Sequence, residues 1–74
     1  MATIEDIQYV IERMEASTPS WKPGEDAVSF YFEKLKDLRG YLVKSATDRC
    51  MRQPGRSWIA SPQEIRDAVK EILG

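Results

Sequence analysis

Four residues near the C-terminal end, Ser61-Pro62-Gln63-Glu64, fix where a helix begins. Ser61 carries the short hydroxyl favoured at an N-cap. Pro62 takes the first helical position, where its missing N–H costs nothing, and Glu64 is the third helical residue, placed to reach back to the Ser61 amide. From Ile65 onward the apolar residues Ala68, Val69, Ile72 and Leu73 follow at i+3, i+4, i+7 and i+8, which makes one dry face and one wet face. A helix of this kind is stable only when something covers the dry face.

The rest of the chain supplies the cover in the same form. Thr3 can cap a first helix with Asp6 as its reciprocal partner, and Ile4, Ile7, Val10, Ile11 and Met14 form that helix's stripe. Ser17 to Gly24 contains two prolines and a glycine, so it is a connection, and Trp21 in its middle is expected to fold back onto the core. A second helix is predicted from about Glu25 to Leu38, with Val28, Tyr31, Phe32, Leu35 and Leu38 inward and Phe30 off the stripe. The run Val28 to Phe32 also favours a strand, but a lone strand has no partner elsewhere in the sequence. Asp37-Leu38-Arg39-Gly40 reads as a tight turn into a third stripe, Leu42, Val43, Ala46 and Cys50. Gln53 to Ser57 ends that helix, after which Trp58-Ile59 should pin the second loop to the core. The expected fold is all-α, a compact bundle of about four short helices with two Trp-bearing loops, forming a single domain over residues 1–74.

A domain of 74 residues buries only roughly 60% of its extended surface, which limits it to one modest core. A ligand cavity of about 300 Å³ or more would be a large void in such a core, so function is expected on the surface. The chain has no histidine and a single cysteine, Cys50, which excludes a Cys/His zinc site, a His-based catalytic site and an internal disulfide. No nucleophile, base and orienting group can be assembled, so the chain is not expected to be an enzyme or to need a cofactor. Cys50 is read as a small core residue, with a reactive thiol as the alternative. No apolar run reaches the 18 or so residues of a membrane span, and the acidic start is unlike a signal peptide. The expectation is a soluble protein of a reducing cytoplasm.

Net charge is −1, but residues 1–33 sum to −5, residues 34–58 to +5 and residues 59–74 to −1. This segregation singles out two sets of candidate partner-binding residues: Lys44, Arg49, Arg52 and Arg56 as a positive patch, and Glu5, Glu12 and Glu15 as a negative one. Against both stands the bland reading, solvated faces that balance each other. The tight turn before Gly40 also allows a helix-turn-helix, with Lys44, Ser45, Thr47, Asp48, Arg49 and Arg52 offered to a DNA groove, although Asp48 and the acidic remainder oppose phosphate binding. Trp21, Tyr31, Phe32 and Trp58 admit a base-stacking reading beside the core reading, which is preferred for Tyr31 and Phe32. Glu25-Asp26 is read as acid at a helix N-terminus, not as an acid–base pair.

The order of these motifs carries a resemblance. A first helix of the Thr3-Ile4-Glu5-Asp6-Ile7 kind is followed by Pro19-Ser20-Trp21. Then come the aromatic-rich helix ending Tyr31-Phe32-Glu33-Lys34-Leu35-Lys36-Asp37, a helix with small residues near Val43 and Ala46, and a closing segment from Trp58 to Ser61-x-x-Glu64-Ile65. Over nearly the whole chain this resembles the N-terminal domain of the phage replicative-helicase loader and inhibitor family. The resemblance implies a replication accessory protein that binds the hexameric helicase or its origin-binding initiator in a bacterial host. The flexible C-terminal extension of that family has no counterpart within these 74 residues. Two other readings stay open: a helical nucleic-acid-binding module, and a phage-encoded inhibitor of a host protein.

Overall fold

Reciprocal hydrogen bonds close both capping boxes. In the computed structural model, which describes residues 1–74, the Asp6 N–H donates to Thr3 Oγ1 at 3.2 Å and the Thr3 N–H donates to Asp6 Oδ2 at 2.9 Å. At the other site the Glu64 N–H donates to Ser61 Oγ and the Ser61 N–H to Glu64 Oε1, each at 3.2 Å. Helix α1 therefore runs Ile4–Ser17 and α4 runs Pro62–Leu73, with α2 at Ala27–Leu35 and α3 at Gly40–Met51 between them. There are no strands, and no helix is long and apolar enough to cross a membrane. Removing one cap tests the α4 assignment. Ser61→Ala is expected to lower stability by about 1 kcal/mol, read as a lower urea midpoint, and coincident midpoints would misplace the helix start.

The second helix is shorter than its sequence predicts. Glu25 and Asp26 form a turn ahead of it, closed by the Ala27 N–H donating to the Gly24 carbonyl at 3.1 Å, and the Asp26 side chain makes no cap. Pro23-Gly24 thus delays the helix by two residues. At its far end the Leu38 N–H donates to Leu35 O at 3.0 Å, three residues back, so the last turn tightens and the helix stops. Arg39 is extended and Gly40 is already the first residue of α3, not the last of the turn. Gly40 has a packing reason: a Cβ there would fall on the Asp6 carboxylate of α1.

Helix α3 lies between α1 and α4, while α2 closes the ring by packing on those same two helices. The core draws Ile7, Val10, Ile11 and Met14 from α1, Tyr31 and Leu35 from α2, Leu42, Val43, Ala46 and Cys50 from α3, and Ile65, Ala68 and Val69 from α4. Ile4, Ile72 and Leu73 belong to the stripes but are exposed, because the stripes run past the ends of the core. The Cα envelope is 31 × 29 × 16 Å, and a 16 Å thickness leaves room for little more than two helix layers and no internal cavity.

Of the two tryptophans only Trp21 folds back, half-buried against the core. Trp58 is 52% exposed, which corrects the expectation that it pins its loop. The anchor is Ala60, fully buried, whose carbonyl accepts a hydrogen bond from the buried Tyr31 hydroxyl at 2.7 Å. Ile59 packs beside it, and the space under the loop is filled without the larger ring. Gly55 turns the same loop with φ +79°, a conformation that favours glycine.

Candidate functional site

The four basic candidates all lie on or beside α3, but they do not form one free patch. Lys44 Nζ sits 3.4 Å from Asp6 Oδ1 and 5.7 Å from the centre of the Tyr9 ring, so it is held by α1 from two sides. One turn on, Asp48 accepts hydrogen bonds from the Tyr9 hydroxyl on Oδ2 and from Arg13 Nε on Oδ1, each at 3.1 Å, and Oδ2 also lies 4.0 Å from Arg52. Arg49 reaches Glu71 of α4 at 3.4 Å. Arg56 is folded back against its own loop: its guanidinium donates to the carbonyls of Trp58 and Ile59, each at 3.1 Å, and pairs with the Glu64 carboxylate. It latches the second loop and does not extend a phosphate-binding surface.

Between α3 and α4 a shallow groove of about 180 Å³ is lined by Arg49 and by Glu64, Asp67 and Glu71. One cation against three carboxylates makes this groove hostile to phosphate. Cys50 lies at its base, where burial pushes the thiol pKa up, and its weak S–H donor points at the Glu64 carbonyl 3.8 Å away. That environment favours the inert thiol over the thiolate. No group of three His, Cys, Asp or Glu side chains is gathered as a metal site.

Glu5, Glu12 and Glu15 are in the opposite condition. All three are exposed and none has an ion-pair partner, whereas Lys44, Arg49, Arg52 and Arg56 each have one. With Gln8 they fall at i, i+3, i+7 and i+10, one outward stripe of α1. The cause is helix packing. Lys44 of α3 turns into the α1–α3 seam to meet Asp6, Arg49 turns away to Glu71 of α4, and neither pairs with the outer carboxylates of α1. The backbone N–H of Thr3, with Lys44 behind it, holds the Asp6 carboxyl below the usual carboxylate range.

One ion pair has no local signature in the sequence. Arg66 of α4 donates two hydrogen bonds to the Asp37 carboxylate, at 2.8 and 3.0 Å, and a third to the Lys34 carbonyl at 2.9 Å. This fork ties α4 to the end of α2 and holds the Asp37 carboxyl below its ordinary range. The pairing joins residues 29 positions apart, so only the fold reveals it. Comparisons with family models, curated protein sequences and solved structures return no match for this chain.

Proposed function

We propose that this chain is a non-catalytic protein-docking domain of the phage replicative-helicase loader and inhibitor type, which meets its partner through the acidic outer face of α1. The observation that carries the choice of surface is the pairing pattern: Glu5, Glu12 and Glu15 have no ion-pair partner, while Lys44, Arg49 and Arg56 each pair with a carboxylate and Arg52 shares Asp48 with Arg13. Unmatched charge on an exposed helix face steers association with a surface of opposite sign. The helicase or initiator part of the reading rests on the order of the sequence motifs. The nucleic-acid reading is the weaker one, because Lys44 is held by Asp6 and Arg56 by its loop, and the exposed Arg49 and Arg52 are set among the carboxylates of Asp48 and Glu71.

The test is co-elution with the replicative helicase of the cognate phage or host and, separately, with its initiator, followed by association kinetics. Glu5→Gln, Glu12→Gln and Glu15→Gln together are expected to slow association by roughly tenfold at low salt and to flatten its salt dependence. Arg49→Gln with Arg52→Gln should do neither. Failure to co-elute with either protein removes the loader reading, and a slow basic variant beside an unaffected acidic one moves the interface to α3.

A further inference from the structure

The outward side of α2 carries a pattern that is complementary to itself. Phe30 is 51% exposed, and its ring is fixed edge-on against Tyr31 with centroids 5.7 Å apart and planes at 78°. Tyr31 is in turn anchored by its hydroxyl to Ala60 O, so Phe30 stands on a rigid base. Four residues before it is Asp26 and four after it is Lys34, which places an acid and a base about 6 Å to either side along the axis, on the same stripe.

Neither charge is satisfied within the chain by an opposite one. Lys34 Nζ has only the Phe30 ring, 5.8 Å from its centre, and Asp26 and the adjacent Glu25 have no cation. The neighbouring charges are spoken for: Glu33 pairs with Lys36 at 3.1 Å and Asp37 with Arg66 at 2.8 Å. Beside Phe30 an open depression of about 460 Å³ is lined by Trp21, Pro23, Ala27, Tyr31 and Ile59 and rimmed by Glu25 and Asp26, with room for an aromatic ring from outside.

We infer that this face is an isologous dimer interface whose occupant is a second copy of this chain, with the two α2 helices antiparallel about a two-fold axis beside Phe30. The axis sets Asp26 of each copy against Lys34 of the other, and each Phe30 ring against the aromatic lining opposite. A two-fold contact requires that the same patch supply both members of every pair, and the acid–aromatic–base spacing of α2 meets that requirement. A peptide of single charge sign would leave one end of the stripe unmatched. A nine-residue helix gives a small interface, so the dimer is weak and depends on concentration. The inference is independent of the acidic face of α1.

Sedimentation equilibrium of the full chain reads the outcome. The apparent mass is expected to rise from 8.5 kDa toward twice that value as the concentration approaches about 1 mM. Asp26→Lys and Lys34→Glu are each expected to weaken self-association by about tenfold or more through like-charge opposition. Phe30→Ser should abolish it, and circular dichroism should show native helix content in all three, since the positions are exposed. An equimolar mixture of Asp26→Lys and Lys34→Glu is expected to associate like the wild type, because each variant supplies what the other lacks. A wild-type chain that stays monomeric at about 1 mM overturns the inference. So does a single charge variant that associates normally, or a mixture that remains monomeric.

Discussion

Leu35→Ala is expected to cost about 2–5 kcal/mol, the range for deleting a fully buried leucine when the site cannot collapse. Leu35 has no exposed surface and closes α2, a helix of nine residues. A helix of that length is marginal in isolation, so α2 exists because its inward face is held against α1 and α4. Leu35 and Tyr31 are the only α2 residues that are fully inside, and the loss of one removes much of that hold. A domain of this size has a total stability of roughly 4–11 kcal/mol, so the variant should melt about 10–30 °C lower and show a sizeable unfolded fraction at moderate temperature. Phe30→Ala, on the opposite side of the same helix, should stay within about 0.5 kcal/mol of the parent. A Leu35→Ala loss below about 1 kcal/mol would mean that α2 is not docked as described.

The contrast between those two residues is legible in the sequence, because Phe30 falls off the helical stripe and Leu35 falls on it. Capping and periodicity are local, and the local signals largely hold: both capping boxes form, and the apolar stripes of α1 and α3 turn inward except for Ile4. Helix α3 also buries Thr47, whose hydroxyl donates to the Val43 carbonyl and so cannot be offered to a groove. The α2 boundaries shift because a helix end is decided by which turn the chain takes, and Pro23-Gly24 takes one that the apolar pattern does not encode. Trp58 stays outside for a related reason. A loop needs one anchor, and the small Ala60 with its bonded carbonyl supplies it, leaving a larger side chain nothing to fill.

Charge is where the sequence misleads most. The chain reads as acidic first and basic next, and a reader expects two opposed surfaces. Packing α1 against α3 makes Asp6 meet Lys44, whereas Arg13 meets Asp48 in the opposite sense, a base of the acidic segment on an acid of the basic one. The seam therefore removes charges in pairs and leaves the segregation along the chain as it was. The outer carboxylates of α1, Glu5, Glu12 and Glu15, are left on the surface without a partner. Spacing along the chain cannot show which charges cancel, since that depends on which helices become neighbours. Gly40 marks the spot, because a Cβ there would displace the Asp6 carboxylate from its place beside the start of α3.

Arg56 separates the two meanings a basic residue can have here. Its side chain is 14% exposed, and its guanidinium holds two loop carbonyls, the Gln53 side chain at 3.5 Å and the Glu64 carboxylate. Arg56→Met keeps the apolar stem and deletes the fork, leaving the Trp58 and Ile59 carbonyls without that donor. Hydrogen bonds to a charged group contribute about 1.5–3 kcal/mol each, offset in part by relief of the desolvated charge and of Nε, which is buried without a partner. The net expectation is a loss of about 2 kcal/mol, seen in the urea midpoint, with faster amide exchange across the loop from Gln53 to Ala60. Arg56→Lys should recover little of it, because a single ammonium cannot span acceptors arranged for a planar fork. At equal folded fraction the association rate with a protein partner should not change, in contrast to the Glu5, Glu12 and Glu15 variant. Midpoints that coincide while association slows would return Arg56 to the interface and remove the latch.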